Sequence, residues 1–505
     1  MKSKIQNNRL SLSVSGFTVF VLGALLLCTS CDSFLNIDAE GSLPSTGIDH
    51  SKVDNIYKPV SAVYAQTRSL FEFNYLVVGE ISSDDSDKGS TPSDSPSAKE
   101  IDEFTFTPKN DMINSYWVDL YNVVSAANYA IEEMPKFEAE MQTDELKAST
   151  HQYAAEARVW RAWSYFMLTK AFGRVPLITH SMSSEELNSL KQSSVREIYD
   201  FVEQELTECL TLLPESYPAG NDGRINYYTA LAILAKVYLY DQKYSESALC
   251  CDKIIASGRY RLMPTYRDVF LTENNNSKES LFEAQSSTLG QTSGDAPYLN
   301  YAYYQGPRNN QPSNMQGWGF KVPSNSLIQF MTNRGETERM KTAFLYRGTV
   351  TEYGDSIMVG CANPVYNGKV YSPSAYNTMG LNSYGRNYNI RLIRYAEILL
   401  IMAEDLVNGA TGEFTSGTTA QSALDDVRAR VLLPSVPATL DNIYEERRAE
   451  LCMEEDRFFD LVRTGRAVEF MGPCGFKAGK NEVFPVPYAQ RQLNPNLEPT
   501  PGYVY

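Results

Sequence analysis

Apolar positions along the chain recur mostly at helical spacing. Residues 152–172 show it best. Tyr153, Ala157, Trp160, Ser164, Met167 and Ala171 follow one another at steps of four and three, which places them on one unbroken helical stripe. Gly173 follows as a stop, and Val175-Pro176-Leu177-Ile178 then reads extended. The same periodicity predicts helices over roughly 51–71, 113–134, 195–212, 226–241, 244–257, 391–408, 418–430 and 441–463. Trp160 and Trp163 lie on the continuous stripe and are assigned to the core.

Residues 227–257 carry a repeat signature. Leu231, Leu234, Ala235 and Tyr238 lie on a first helix, and Tyr244, Ser247, Ala248, Cys251 and Ile254 on a second. The spacing agrees with the tetratricopeptide pattern, with Ala235 in place of Gly and Ser247 in place of Ala. Small residues belong where two helices touch, and large ones fill the groove beside them. The helix pair 391–408 and 418–430 is a weaker second instance.

Two stretches break the helical pattern. Residues 80–108 run through Ser82-Ser83-Asp84-Asp85-Ser86-Asp87-Lys88-Gly89 into Ser, Thr and Pro. Residues 258–390 are rich in Gly, Asn, Pro and Tyr, with short β-like runs at Ser280–Ala284 and Ser356–Val359. Long irregular stretches inside a compact protein are usually functional surface. The predicted fold is mostly α: helix pairs form a scaffold, and a large loop-rich region with short β elements sits on it. Its parts are a helical portion 51–257, an irregular region 258–390, and closing helices with a tail 391–505.

Charge narrows the function. The 505 residues carry 45 Lys and Arg against 61 Asp and Glu, a net charge of −16. That balance argues against a nucleic-acid binder, whose affinity rests on basic groups facing phosphates. Residues 1–30 read as an export signal. Lys2, Lys4 and Arg9 precede an apolar run, Phe17–Leu27, that is short for a membrane span. Ser30-Cys31 follows in the position where a bacterial lipoprotein is cut and acylated, so Cys31 is expected to carry a lipid and residues 31–50 to act as a tether.

Catalytic signatures are missing. The chain has no G-x-S-x-G elbow, H-E-x-x-H, P-loop or dinucleotide fingerprint. Its only histidines are His50, His151 and His180, and none has ligand spacing to a cysteine, so no zinc site is expected. Asp84, Asp85 and Asp87 resemble part of a Ca²⁺ loop, but Lys88 takes the usual place of a further ligand. The run therefore reads as a solvated loop, with Ca²⁺ contact as the alternative, and no cofactor is expected. A carboxylate pair of the glycosidase kind needs only two acids at the right separation and stays open as an alternative. Cys209, Cys251 and Cys452 lie in helical patterns and read as buried thiols.

Several segments, in order, resemble the SusD/RagB family of Bacteroidetes outer-membrane lipoproteins. They are Cys31–Leu35; Glu80–Asp85; Trp117, Tyr121 and Ala127-Asn128; Arg161-Ala162-Trp163 with Phe172–Leu177; Arg394-Tyr395-Ala396-Glu397 with Ala403-Glu404; Glu446–Leu451 with Glu454, Arg457 and Phe459-Asp460-Leu461; and Phe484–Pro487 with Asn494–Leu497 and Pro501-Gly502-Tyr503. The resemblance implies tetratricopeptide-like helix pairs supporting an irregular ligand-facing region. It also implies a non-enzymatic role: capture of an oligosaccharide at the cell surface and delivery to a SusC-like TonB-dependent outer-membrane transporter. Some relatives serve peptide uptake, which is the alternative ligand class. In 441–463, Ile443, Arg447, Leu451, Glu454, Phe458 and Leu461 are expected to share one helical face, with Arg447 and Glu450 paired in a structural ion network.

A glycan site needs aromatic faces for sugar C–H groups beside polar side chains for hydroxyls. The chain has 33 tyrosines, and the richest such mixture is 296–322. Trp318, between Gly317 and Gly319, is the first candidate. Tyr298, Tyr301, Tyr304, Asn300 and Arg308 follow, and Asp84 and Asp85 are expected to add polar contacts from the first loop. Tyr366, Tyr371, Tyr376, Tyr384 and Tyr388 form a looser second group.

Overall fold

Side-chain caps mark the starts of several helices. The computed structural model describes residues 47–287, 298–377 and 384–505, so the signal segment and Cys31 lie outside the described residues. The principal helices of the first half are α1 (Lys58–Leu70), α2 (Asp111–Glu140), α3 (Asp144–Phe172), α4 (Val195–Cys209), α5 (Tyr227–Tyr240) and α6 (Tyr244–Ala256). Asn110 accepts hydrogen bonds from the first N–H groups of α2, and Thr143 caps α3. Ser194 and Glu197 form a reciprocal capping box on α4. The stripe read at 152–172 is the second half of α3, and Gly173 ends it with φ +70°. Trp160 and Trp163 are buried there against Phe282.

Helix α2 runs six residues beyond the predicted boundary, straight through Pro135. Proline removes one intrahelical hydrogen bond. Met134 and Phe137 nevertheless bury on the core side and keep the chain helical.

The repeat reading holds at its tightest point. Ser247 Oγ on α6 donates to the Ala235 carbonyl on α5 at 2.9 Å, and both residues are fully buried. Helix α6 packs in turn on a helix of the second half, which is followed by three more: α7 (Tyr395–Val407), α8 (Ala420–Arg430), α9 (Leu440–Leu451) and α10 (Arg457–Arg463). Leu399, Leu400, Ala403, Ala423, Leu424, Val427 and Ile443 form the shared core of α7, α8 and α9.

Among the described residues, three antiparallel strand pairs tie the irregular stretches together. β1 (Ser86–Gly89) pairs with β3 (Phe320–Pro323), β2 (Ser280–Ala284) with β6 (Ile390–Arg394), and β4 (Phe344–Tyr346) with β5 (Val365–Asn367). The run Ser356–Val359, expected to be β-like, makes only an isolated bridge between Ser356 and Val350. This region also contains helices Asn325–Arg334 and Thr337–Ala343, which the periodicity missed. Leu327 and Met331, one turn apart, are the only buried residues of the first, too short a stripe to stand out.

The helix predicted over 441–463 is broken. Met453 and Glu455 take positive φ values of 64° and 66° between α9 and α10. The break aims three consecutive carboxylates in different directions. Glu454 meets Lys369 and Arg394, Glu455 meets Lys321, and Asp456 meets Lys170 and Lys236. A straight helix would leave several of these buried cations unpaired, at a cost of several kcal/mol each. The expected single face is therefore replaced by a hub. Arg447 and Glu450 do not pair with each other: Arg447 holds Asp460 and Glu397, and Glu450 holds Arg339, Arg394 and Arg430. Burial alone would raise the Glu450 carboxyl, but Arg430, Arg394 and Arg339 hold it well below the usual range.

Candidate functional site

The two irregular stretches meet at one sheet edge. Gly89 of β1 lies opposite Phe320 of β3, and the Ser90 N–H donates to the Gly319 carbonyl at 2.6 Å. This junction places the loop after β1 beside Trp318.

Backbone contacts fix the position of Trp318. Its N–H donates to the Tyr303 carbonyl at 3.0 Å, and the Gly317 N–H donates to the Pro307 carbonyl at 3.0 Å. A Cβ on Gly317 would lie 2.4 Å from the Tyr303 carbonyl oxygen and 2.5 Å from Gly306 Cα, so only glycine fits. Gly319 has φ +70° and lies against Arg308, Asn363 and Tyr366. The glycines that flank Trp318 therefore let the chain approach the 303–308 segment closely. The indole itself stays 39% exposed, an unusual position for the largest apolar side chain.

One guanidinium lies over that indole. The Arg308 group sits 4.8 Å from the Trp318 ring centroid. Its far side meets Asp94 at 3.1 Å. Asp94 belongs to the loop after β1, where it accepts from the Ser90 and Thr91 hydroxyls at 2.7 Å each. Those hydrogen bonds, with Arg308, hold the Asp94 carboxyl below the usual range. Lys88 Nζ ties the loop down by donating to the Thr91 and Asp94 carbonyls. The result is an aromatic face, a fixed cation and a fixed anion side by side on the surface. Such a set can stack a sugar face and bond its hydroxyls.

The other expected site residues divide. Tyr298 is half-buried under the Arg386 guanidinium, 4.1 Å from its ring centroid. Tyr304 is half-buried against Phe73, 5.0 Å between centroids. Asn300 is turned to Glu72, with its backbone and side-chain N–H groups both donating to that carboxylate. Tyr301 corrects the expectation of a platform. It is buried, its hydroxyl donates to Glu455, and Lys321 Nζ lies over its ring.

Asp84 and Asp85 are likewise corrected. Both are buried: Arg448 pairs with each, and Arg457 lies 2.8 Å from Asp84. Two guanidiniums already use these carboxylates, so they anchor the loop to α9 and α10 instead of lining an exposed surface. In the looser tyrosine group, Tyr366, Tyr371, Tyr384 and Tyr388 are buried and only Tyr376 is exposed. The residue missed in the site is Asp94. No periodicity marked it, because it stands in a Ser- and Pro-rich stretch and gains its role only when β1 meets β3.

Fold and site together define a helical-repeat scaffold that presents an aromatic, charge-balanced surface at the edge of an irregular region. Residues 33–239 match the family described as starch-binding associating with outer membrane, and residues 278–503 match the SusD family. The chain belongs to the SusD/RagB family. SusD-like protein P38 of Formosa agariphila is 25% identical over 523 residues, covering 96% of this chain and 98% of its own. A SusD-like protein of Bacteroides ovatus is 24% identical, covering 89% of this chain and 82% of its own. Among solved structures, a laminarin-binding SusD-like protein superposes with a TM-score of 0.77 at 29% identity, covering 89% of this chain and 99% of its own. Surface glycan-binding protein A of Bacteroides thetaiotaomicron, solved with laminarihexaose, shares the fold at a TM-score of 0.73 and 22% identity, covering 88% and 99%.

Proposed function

We propose that this chain is a cell-surface oligosaccharide-binding lipoprotein, lipid-anchored at Cys31 in the outer membrane. It captures glycan at Trp318 and delivers it to a SusC-like TonB-dependent transporter. The observation that carries the reading is the exposed Trp318, locked by backbone hydrogen bonds and flanked by the Arg308–Asp94 pair. Trp318 supplies the stacking face, and Arg308 and Asp94 supply a hydroxyl donor and acceptor of fixed position. Tyr298, Tyr304 and Asn300 stand on the same 298–304 segment and form the flank of the site. The similarity to a laminarin-binding relative makes laminarin the first probe.

Affinity electrophoresis through a polysaccharide panel that includes laminarin and starch tests the proposal. Retarded migration, with no reducing sugar released, is the expected result. Migration unaffected by every polysaccharide would remove the glycan assignment and bring a peptide ligand forward. Sugar release would point to a glycosidase instead.

A further inference from the structure

Among the described residues, four aromatic side chains stand exposed: Trp318, Tyr346, Tyr353 and Tyr376. The last three belong, in order, to β4, to the hairpin-like loop that follows it, and to the Ser374–Tyr376 turn. We infer that this loop forms a second saccharide-binding surface, which holds further units of the same glycan chain. The inference rests on the glycan reading proposed for Trp318.

A cleft of about 290 Å³ opens beside the loop, near the lower size of small-molecule sites. Its lining mixes the exposed Tyr346 and Val350 with polar groups from Thr349, Thr351, Glu352, Lys341 and Arg267. Arg267 is not free to wander. It donates to the Gly368 and Tyr371 carbonyls at 3.1 and 3.2 Å, and Glu352 lies 3.3 Å from its Nε. Its guanidinium also faces Tyr353, 5.8 Å from the ring centroid. Tyr376 lies beyond, with its hydroxyl 3.3 Å from Glu273.

The chemistry parallels the first site. Each has an exposed aromatic ring next to an arginine that is already neutralised by a carboxylate. Such a pair offers donors and acceptors without net charge, which suits a neutral, polyhydroxylated ligand. The tyrosines that pack the interior here, such as Tyr371, spend their hydroxyls on protein groups; Tyr371 bonds Asp355 and Thr351. Tyr346 and Tyr353 instead remain exposed, with the Tyr353 ring centroid 6.0 Å from that of Tyr371. The cleft shares no lining residue with the Trp318 cluster, so the two surfaces can be disabled separately.

A second weak surface acts through avidity: it matters for a long chain that reaches both and is silent for a short one. The test uses the full chain and four variants: Trp318→Ala, Tyr346→Ala with Tyr353→Ala, Tyr353→Ala alone, and Tyr346→Phe with Tyr353→Phe. The probes are laminarihexaose by calorimetry and polymeric laminarin by affinity electrophoresis, or the retarding polysaccharide of the panel and its hexasaccharide if that is not laminarin. The double alanine variant should keep hexasaccharide affinity within about twofold and lose about five- to tenfold in polymer affinity. Tyr353→Ala alone should lose about twofold, and the double phenylalanine variant should retain polymer binding. If the alanine variants hold polymer as tightly as wild type while Trp318→Ala weakens both probes, the second surface is overturned and the first reading stands. That result would reassign the exposed tyrosines to a protein partner. If Trp318→Ala changes neither probe, or wild type binds no polysaccharide, the underlying glycan reading fails and this inference with it.

Discussion

Arginine is used in opposite ways in two regions of this molecule. At the closing helices, Arg339, Arg394 and Arg430 converge on Glu450, and Arg334, Arg339 and Arg428 converge on Glu446. Glu446, Glu450, Arg339, Arg394 and Arg428 are buried. At the sheet edge, a single arginine meets a single aspartate beside an indole that water still reaches. The same chemistry is structural where the partners leave no free face and available where they leave one. Buried charges must be paired, because desolvation is costly. Surface pairs contribute little to stability and are free to serve a ligand.

The comparison is broken most severely at its structural pole. Glu450→Ala takes one carboxylate from three buried arginines, which keep only Glu336, Glu446, Glu279 and Glu454 among them. Urea unfolding should record a loss of about 3–5 kcal/mol, or no soluble protein. A loss below about 1 kcal/mol would mean that water reaches the network. Gly317→Ala tests the junction between the regions. Its Cβ has no room against the Tyr303 carbonyl and Gly306, so a loss of about 1–3 kcal/mol should accompany lost glycan retention, although the Trp318 side chain is intact.

The smallest effect is electrostatic. Burial pushes Asp102 up to about 7, against the hydrogen bond it accepts from the Lys88 N–H. Its raised folded pKa means that the native state binds the extra proton between its unfolded value, near 3.8, and 7. Stability from this group is full below that window and is lost as pH rises through it. Asp102→Asn removes the titration and can keep the hydrogen bond. Thermal melts should show the variant gaining about one or two degrees on wild type between pH 4 and pH 8, with a flat difference as the contrary result.

Much of the scaffold was legible in the sequence, because helical periodicity and caps are local. The stripe of α3, its Gly173 stop and the Ser247–Ala235 contact are of this kind. Trp318 was legible for a related reason: glycines on both sides exclude it from a helix and mark a close backbone approach. What stayed hidden was non-local. Asp84 and Asp85 looked like loop acids, and only their pairing with Arg448 and Arg457, some 360–370 residues away along the chain, shows them to be anchors. The tyrosine surplus was misleading in the same way. Tyr301, Tyr371 and Tyr388 lie under Lys321, Arg267 and Arg391, so these tyrosines pack against cations inside the protein. The exposed Tyr346 and Tyr353 carried no neighbouring signal.

The central claim is that Trp318 meets the ligand and the ion network only holds it in place. Calorimetry of Trp318→Ala with the glycan that retards the wild type tests it most directly, alongside a urea melt of the same sample. The expected result is a loss of affinity of at least about tenfold, close to the 1.4 kcal/mol that such a change represents, with stability within about 0.5 kcal/mol of wild type. Unchanged affinity in a folded variant would contradict it.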